Sequence, residues 1–161
     1  NLLNQAHGYV FRSPVAHAEI ISLDVSAARA APGVHTILTG VELSERGLGS
    51  LVPSNPGKRC DGSPGYVCSQ PLLAQDRVRF VGEPIAVVVA ETAYQAADAA
   101  ESIWADIEPL DPLIDLNDSL EAKTVLFDGM ENNICWEKEI EDPRRRRRRS
   151  SAVAENESSA E

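Results

Sequence analysis

The chain has 161 residues, 43% of them apolar and 25% charged, with fifteen Lys and Arg against twenty-five Asp and Glu, a net charge of -10. That balance fits one soluble globular domain, alone or with a tail, and excludes collagen, a coiled coil and full-length disorder. It argues against nucleic acid or an anionic membrane surface as the partner.

Tyr9-Val10-Phe11 reads as a short strand stopped at Ser13-Pro14. His17 to Asp24 is a second strand, apolar at its centre. Val25 to Ala31 reads as a short helix, with Asp24 or Ser26 placed to accept its first unpaired backbone N–H and Pro32-Gly33 to end it. Val34 to Leu38 is a third strand, rich in β-branched residues. A weak helical turn follows from Gly40 to Glu45.

Residues 47–71 contain four Pro and five Gly. Connections of that length without regular structure are uncommon inside a domain and are usually functional or mobile. Leu51, Val52, Tyr66 and Val67 give this one apolar anchors.

Regular structure resumes as a strand over Arg77–Val81. Gly82-Glu83-Pro84 interrupts it, and Ile85 to Ala90 follows as an unbroken apolar strand, a pattern expected where both faces are covered. Thr92-Ala93-Tyr94-Gln95 fits a capping box at the start of a helix. Ala93, Ala96, Ala97, Ala100, Ile103 and Trp104 form its apolar stripe, with Asp98 and Glu101 facing solvent. A strand from Trp104 to Ile107, extended backbone at Pro109 and Pro112, a helical turn at Asp118–Ala122 and a last strand at Ile134–Glu139 complete the reading.

Cys60, Cys68 and Cys135 are odd in number and widely spaced, so they form neither a disulfide framework nor a C-x-x-C pair; three reduced thiols in a cytoplasmic protein are expected. No apolar run approaches the ~20 residues that span a bilayer, and the start lacks the pattern of a signal peptide. The chain opens on Asn1 without methionine, so a preceding segment is expected.

Little has the form of an active site. His7, His17 and His35 are far apart in sequence, and His35 reads as a structural residue in a strand. No G-x-S-x-G, H-E-x-x-H, P-loop or G-x-G-x-x-G pattern occurs. Glu83 can be read as a catalytic carboxylate or as the centre of a structural bend. The flanking Gly82 and Pro84, which supply and fix the backbone of a turn, favour the bend. No catalytic, cofactor-binding or metal-ligating residue is expected in this chain.

The run Val78-Arg79-Phe80-Val81-Gly82-Glu83-Pro84-Ile85-Ala86-Val87-Val88-Val89-Ala90-Glu91 resembles the large, molybdenum-bearing subunit of the xanthine dehydrogenase, aldehyde oxidase and carbon monoxide dehydrogenase family. Arg12-Ser13-Pro14-Val15-Ala16-His17-Ala18-Glu19-Ile20 resembles its early strand pair. Ala31-Pro32-Gly33-Val34, Leu38-Thr39-Gly40, Ala96-Ala97-Asp98-Ala99-Ala100-Glu101 and Glu108-Pro109-Leu110 extend the likeness over about residues 6–140.

The resemblance implies an α+β fold, the α/β-hammerhead, with two small mixed β-sheets and a few helices over residues 1–142. It implies a structural N-terminal domain that supports the molybdopterin domains and subunit assembly, and that is not catalytic by itself. Its partners would be the remaining large-subunit domains, an iron–sulfur subunit and a flavin subunit. The cofactors of the intact enzyme would be molybdenum-molybdopterin, iron–sulfur clusters and usually flavin, none held by this chain. The loop at about Leu48 to Gln70, with Leu51, Val52, Tyr66 and Val67, is expected near the substrate funnel. A stand-alone binding or assembly module with the same fold is the alternative. The sequence departs from the family at Leu3-Asn4, where Pro-Gly is common, and at Asp111, where proline is common.

Residues 1–143 hold nine basic and twenty-two acidic residues, whereas Arg144 to Arg149 is an unbroken basic run. By composition, residues 143–161 form a disordered tail. The family has an alanine-rich segment here, and GCC alanine codons read out of frame give CGC arginine codons, so the tail is expected to be a frame-shifted ending.

Overall fold

The structure, a computed structural model, describes residues 2–55 and 57–138. The expected domain end at 142 and the Arg144–Arg149 run lie outside them. The described residues fall into two units, 2–54 with 67–133, and 55–66 (Pro56 aside) with 134–138.

The first unit holds every named element: strands β1 (His7–Arg12), β2 (Ala18–Asp24), β3 (Val34–Thr39), β4 (Arg77–Val78), β5 (Pro84–Ala90) and β6 (Trp104–Pro109), and helices α1 (Ser26–Arg29), α2 (Gly40–Glu45), α3 (Ala93–Glu101) and α4 (Leu116–Leu120). They build two three-stranded sheets, ordered β1-β5-β3 and β4-β2-β6. The fold class is the one expected. Every ladder is antiparallel rather than mixed. In the first sheet β1 and β3 run the same way but are kept apart by β5, which opposes both.

β5 is the middle strand, with Val88 opposite Tyr9 of β1 and Ile37 of β3. Alternate residues Ala86, Val88 and Ala90 are fully buried and share a cluster with Ala28, Ile37, Ile103 and the α3 residues Ala96, Ala99 and Ala100. The small alanines let α3 lie close to the sheet, and burying Val88 and Ile37 contributes roughly 1.5–3 kcal/mol each. A second cluster joins Ala18, Ala74, Val78 and Ile85, and Phe11 and Leu23 pack against both. Cover on both faces of β5 is complete only at Ile85; Val87 and Val89 stay half-buried.

Gly33 ends the α1 turn with φ +78°, the left-handed backbone that glycine adopts without strain. A Cβ there would lie 2.2 Å from the Gln95 amide nitrogen, so this glycine also lets α3 approach. Ser26 N donates to Asp24 Oδ1 at 2.9 Å, and hydrogen bonds from the Ser26 side chain and then its backbone hold the Asp24 carboxyl below its ordinary value. Asn4 carries φ +60°, a conformation asparagine tolerates better than most residues, so the chain turns at this family departure without glycine.

Several expectations are corrected. The strand expected over Arg77–Val81 is only two residues long, because Arg79 N turns to the Glu83 carboxylate instead of a sheet partner. The α3 stripe runs through Ala96, Ala99, Ala100 and Ile103; Trp104 is 70% exposed because the helix ends at Glu101 and the chain has already entered β6. The box at Thr92 is half formed: Gln95 N donates to Thr92 Oγ1, but the Gln95 side chain accepts from that hydroxyl rather than from the Thr92 backbone. The last helical turn is α4, begun two residues earlier than expected by its cap Asp115.

A complete capping box stands instead at α2. Glu42 N donates to Thr39 Oγ1 at 3.3 Å and Thr39 N to Glu42 Oε2 at 3.1 Å, while Arg29 Nη2 lies 2.7 Å from Glu42 Oε1. Partial burial pushes the Glu42 pKa up, but the Arg29 hydrogen bond, the Thr39 N–H and the positive field of Arg29 and Arg46 outweigh it. The carboxyl therefore titrates below its ordinary 4.5. A pKa lower in the folded than in the unfolded chain gives stability that is complete above the unfolded pKa and is lost as pH falls through the folded one. In urea titrations Glu42→Gln is thus expected to lower the unfolding midpoint at pH 7. The gap to the parent should close as pH falls below about 4; a gap unchanged from neutral to acid pH contradicts this role.

Candidate functional site

Gly82, Glu83 and Pro84 come together at the junction of the two sheets. Glu83 N donates to Phe80 O at 3.2 Å across a turn whose third residue, Gly82, has φ +84°, the conformation a type II turn demands there. Ser13 N donates to Glu83 O and Gly82 N to Ser13 O, both at 2.9 Å, and Arg12 Nη1 donates to Gly82 O at 2.8 Å. Pro84 opens β5 opposite Arg12, at a bulge, where its missing N–H costs no ladder bond. Its carbonyl accepts from Ala74 N at 2.7 Å.

Glu83 is only 6% exposed, and its carboxylate accepts the Arg79 backbone N–H. The Arg79 side chain extends the tie: Nε donates to Leu126 O at 2.9 Å and the guanidinium lies 5.2 Å from the centre of the Phe127 ring. A buried carboxylate engaged by a backbone amide is arranged to hold chain segments.

His17, 5% exposed, donates from Nδ1 to Asp111 O at 2.8 Å, and among the described residues its buried Nε2 has no hydrogen-bond partner. The partner is the Asp111 main-chain carbonyl, which a proline would offer equally; the family departure at this position leaves the contact unaffected.

The anticipated funnel residues divide between the units. Leu51 exchanges backbone hydrogen bonds with Gln70 at 2.7 and 3.0 Å in the first unit, and the side chains of Leu51, Val52 and Val67 are exposed rather than anchored. Tyr66 belongs to the second unit, where its N donates to Cys135 O at 2.7 Å.

That unit is built on a small reversal. Lys58 bridges Pro64, Arg59 N donates to Ser63 O at 2.9 Å, and Gly65 N to Gly57 O at 3.1 Å. Ser63 N bonds Asp61 Oδ1 at 2.8 Å, and the Ser63 hydrogen bonds hold the Asp61 carboxyl below its ordinary value. Residues 134–138 run alongside, with Glu137 N donating to Lys58 O at 3.2 Å and Cys60 N to Glu137 Oε2 at 3.4 Å. They form hydrogen bonds to an irregular loop rather than the strand expected at Ile134–Glu139; residue 139 lies outside the described residues. The result is a hollow of about 690 Å³ around Trp136, lined by Lys58, Arg59 and Lys138. Sequence reasoning did not find it, because its two sides are 77 residues apart at the Cys60–Glu137 contact.

Among the described residues no group of three or more His, Cys, Asp or Glu could hold a metal ion. No described helix is long and apolar enough to cross a membrane.

Residues 1–111 match the family model for the aldehyde oxidase and xanthine dehydrogenase a/b hammerhead domain. The chain is 34% identical over 134 residues to the nicotine 6-hydroxylase large subunit of Paenarthrobacter nicotinovorans, covering 83% of this chain and 16% of that protein. It is 38% identical over 120 residues to the carbon monoxide dehydrogenase large chain of Afipia carboxidovorans, covering 74% and 14%. The crystal structure of quinoline 2-oxidoreductase from Pseudomonas putida 86 superposes with a TM-score of 0.73 at 35% identity, over 84% of this chain and 16% of that one. The chain thus spans 14–16% of these relatives' length. With the two-sheet fold and the sequence match in agreement, the chain belongs to the aldehyde oxidase and xanthine dehydrogenase family, as its a/b hammerhead domain.

Proposed function

We propose that this chain is the structural N-terminal domain of a molybdenum hydroxylase large subunit in the cytoplasm, and that it supports the molybdopterin domains and the assembly with iron–sulfur and flavin subunits. The hydroxylation chemistry, at a molybdenum-molybdopterin centre, then belongs to the rest of the subunit. One observation carries the reading. α4 buries none of its residues, and Ile114, Leu116 and Leu120 are 86, 80 and 61% exposed. Exposed apolar side chains gathered on and just before so short an element are what a covering domain would bury, and the relatives are several times longer than the matching segment.

Co-expression with the remaining large-subunit domains tests it. The chain is expected to co-purify with them, and Leu116→Asp with Leu120→Asp to abolish co-purification while the isolated chain unfolds at an unchanged urea concentration. A chain that stays separate from those domains, and is stable and monomeric, supports the stand-alone module instead.

The loop Leu48 to Gln70 helps to shape the mouth of the substrate funnel in the same reading. Its support is the exposure of Leu51, Val52 and Val67 on a segment held by backbone bonds at Leu51 and Gln70. Exchanging residues 48–70 in the intact enzyme is expected to change KM or substrate preference severalfold with turnover retained. Unaltered KM and preference would remove the loop from the funnel.

A further inference from the structure

We propose that the hollow around Trp136 is a binding site for a planar aromatic carboxylate. The indole is 56% exposed and faces a hollow of about 690 Å³, room for a one- or two-ring ligand. Its position is set from behind: a Cβ on Gly57 would lie 3.0 Å from the Trp136 Cβ, so the absent side chain is what lets Trp136 sit against this backbone. Lys58, Arg59 and Lys138 line the same hollow. Among the described residues none of the three makes an ion pair. The carboxylate in the lining, Glu137, has Oε2 turned to Cys60 N, and Asp61 beside Arg59 is engaged by Ser63.

Three cations around an accessible π face are complementary to a ligand with a flat ring and a negative charge. The ring stacks on the indole and the carboxylate is shared among the ammonium and guanidinium groups. A flexible polyanion is disfavoured, because the chain as a whole carries -10 and repels it beyond the reach of these side chains. The inference goes beyond the scaffold reading and is tested on the 161-residue chain alone, so its failure leaves that reading intact.

The two tryptophans, Trp104 and Trp136, give two indole N–H resonances in a ¹⁵N-labelled chain, assigned with Trp104→Phe. Titrated with nicotinate, the Trp136 resonance is expected to shift saturably with a Kd on the order of 1 mM, as suits a shallow site. The Trp104 resonance should stay fixed. Nicotinamide, with the same ring and no charge, is expected to bind at least ~10-fold more weakly, as is nicotinate to Lys58→Ala with Arg59→Ala. Lys58 is exposed and Arg59 half-buried, and unchanged amide resonances of Gly65 and Tyr66, which bond Gly57 O and Cys135 O, show that the second unit of this variant is folded. A Trp136 resonance that fails to saturate, responds equally to the two ligands, or responds to nicotinate equally in the double variant overturns the proposal.

Discussion

Replacing Gly40 by alanine is expected to destabilise the protein by about 2–3 kcal/mol and to lower Tm by roughly 5–10 °C, although the change improves helix propensity. Gly40 is the first residue of α2 and is buried. Helix propensity alone predicts a gain of up to about 1 kcal/mol for this substitution. Space predicts the reverse: the new Cβ would lie 2.6 Å from the carbonyl oxygens of both Leu73 and Ala74. Carbon–oxygen contacts settle at roughly 3.3–3.6 Å, so one side must retreat by most of an ångström. Neither side has an easy retreat. α2 is fixed by the Thr39–Glu42 box and by Arg29. The 73–74 segment is buried, and Ala74 N is bonded to Pro84 O. The obstacle is main chain, so side-chain rotation gives no relief, and the steric cost exceeds the propensity gain. Gly49→Ala is the control, since nothing lies within 4 Å of a Cβ there and its φ is not positive; its effect should stay within about 0.5 kcal/mol. Equal urea midpoints for the two variants would show that segment 73–74 yields.

What could be read from the sequence was what is encoded locally. The apolar run of β5 and the alanine pattern of α3 identify themselves because a strand or helix that buries a face repeats its chemistry within one element. The register of Tyr9 and Ile37 on Val88 had no such signal, because β5 is apolar at every position from Ile85 to Ala90. The errors arise where a contact or a boundary outside the repeating pattern decides where an element ends. Trp104 continues the helical period of α3 on paper, but the helix has stopped at Glu101. Val78 to Val81 has strand chemistry, yet a side chain from Glu83 removes Arg79 from the ladder. The weak helical turn expected at Gly40 to Glu45 carried an unused local signal, T-x-x-E at Thr39 and Glu42, whereas Arg29, which completes the box, is thirteen residues away. The hollow at Trp136 had no local signal, because Lys58 and Lys138 meet only through folding. The bend was the intermediate case. Gly82 and Pro84 announce a turn by their own backbone limits, but neither shows which segments the turn will hold.

Glu83 separates a structural carboxylate from a catalytic one, and the two roles give opposite patterns of loss. Glu83→Ala removes the acceptor of the Arg79 N–H and opens space at a residue that is 6% exposed. An unsatisfied amide alone costs about 1–3 kcal/mol, so a loss of about 3 kcal/mol is expected once the vacated volume is added. The effect should reach beyond the turn. The same short segment holds Ser13 at the end of β1 and Ala74, while Arg79 holds Leu126 and Phe127. Glu83→Gln keeps the length and a carbonyl oxygen for the Arg79 amide. It exchanges a charge-assisted bond for a neutral one of about half the strength, a loss near 1 kcal/mol. Urea unfolding should therefore rank the parent above Glu83→Gln and that above Glu83→Ala. In the molybdenum hydroxylase proposed above, Glu83→Gln should leave turnover within about twofold of the parent, because a group that only holds the chain does not enter the transition state. Turnover reduced about a hundredfold or more in Glu83→Gln, with the unfolding midpoint unmoved, is the pattern of general acid–base chemistry. It would move Glu83 from the scaffold to the active site.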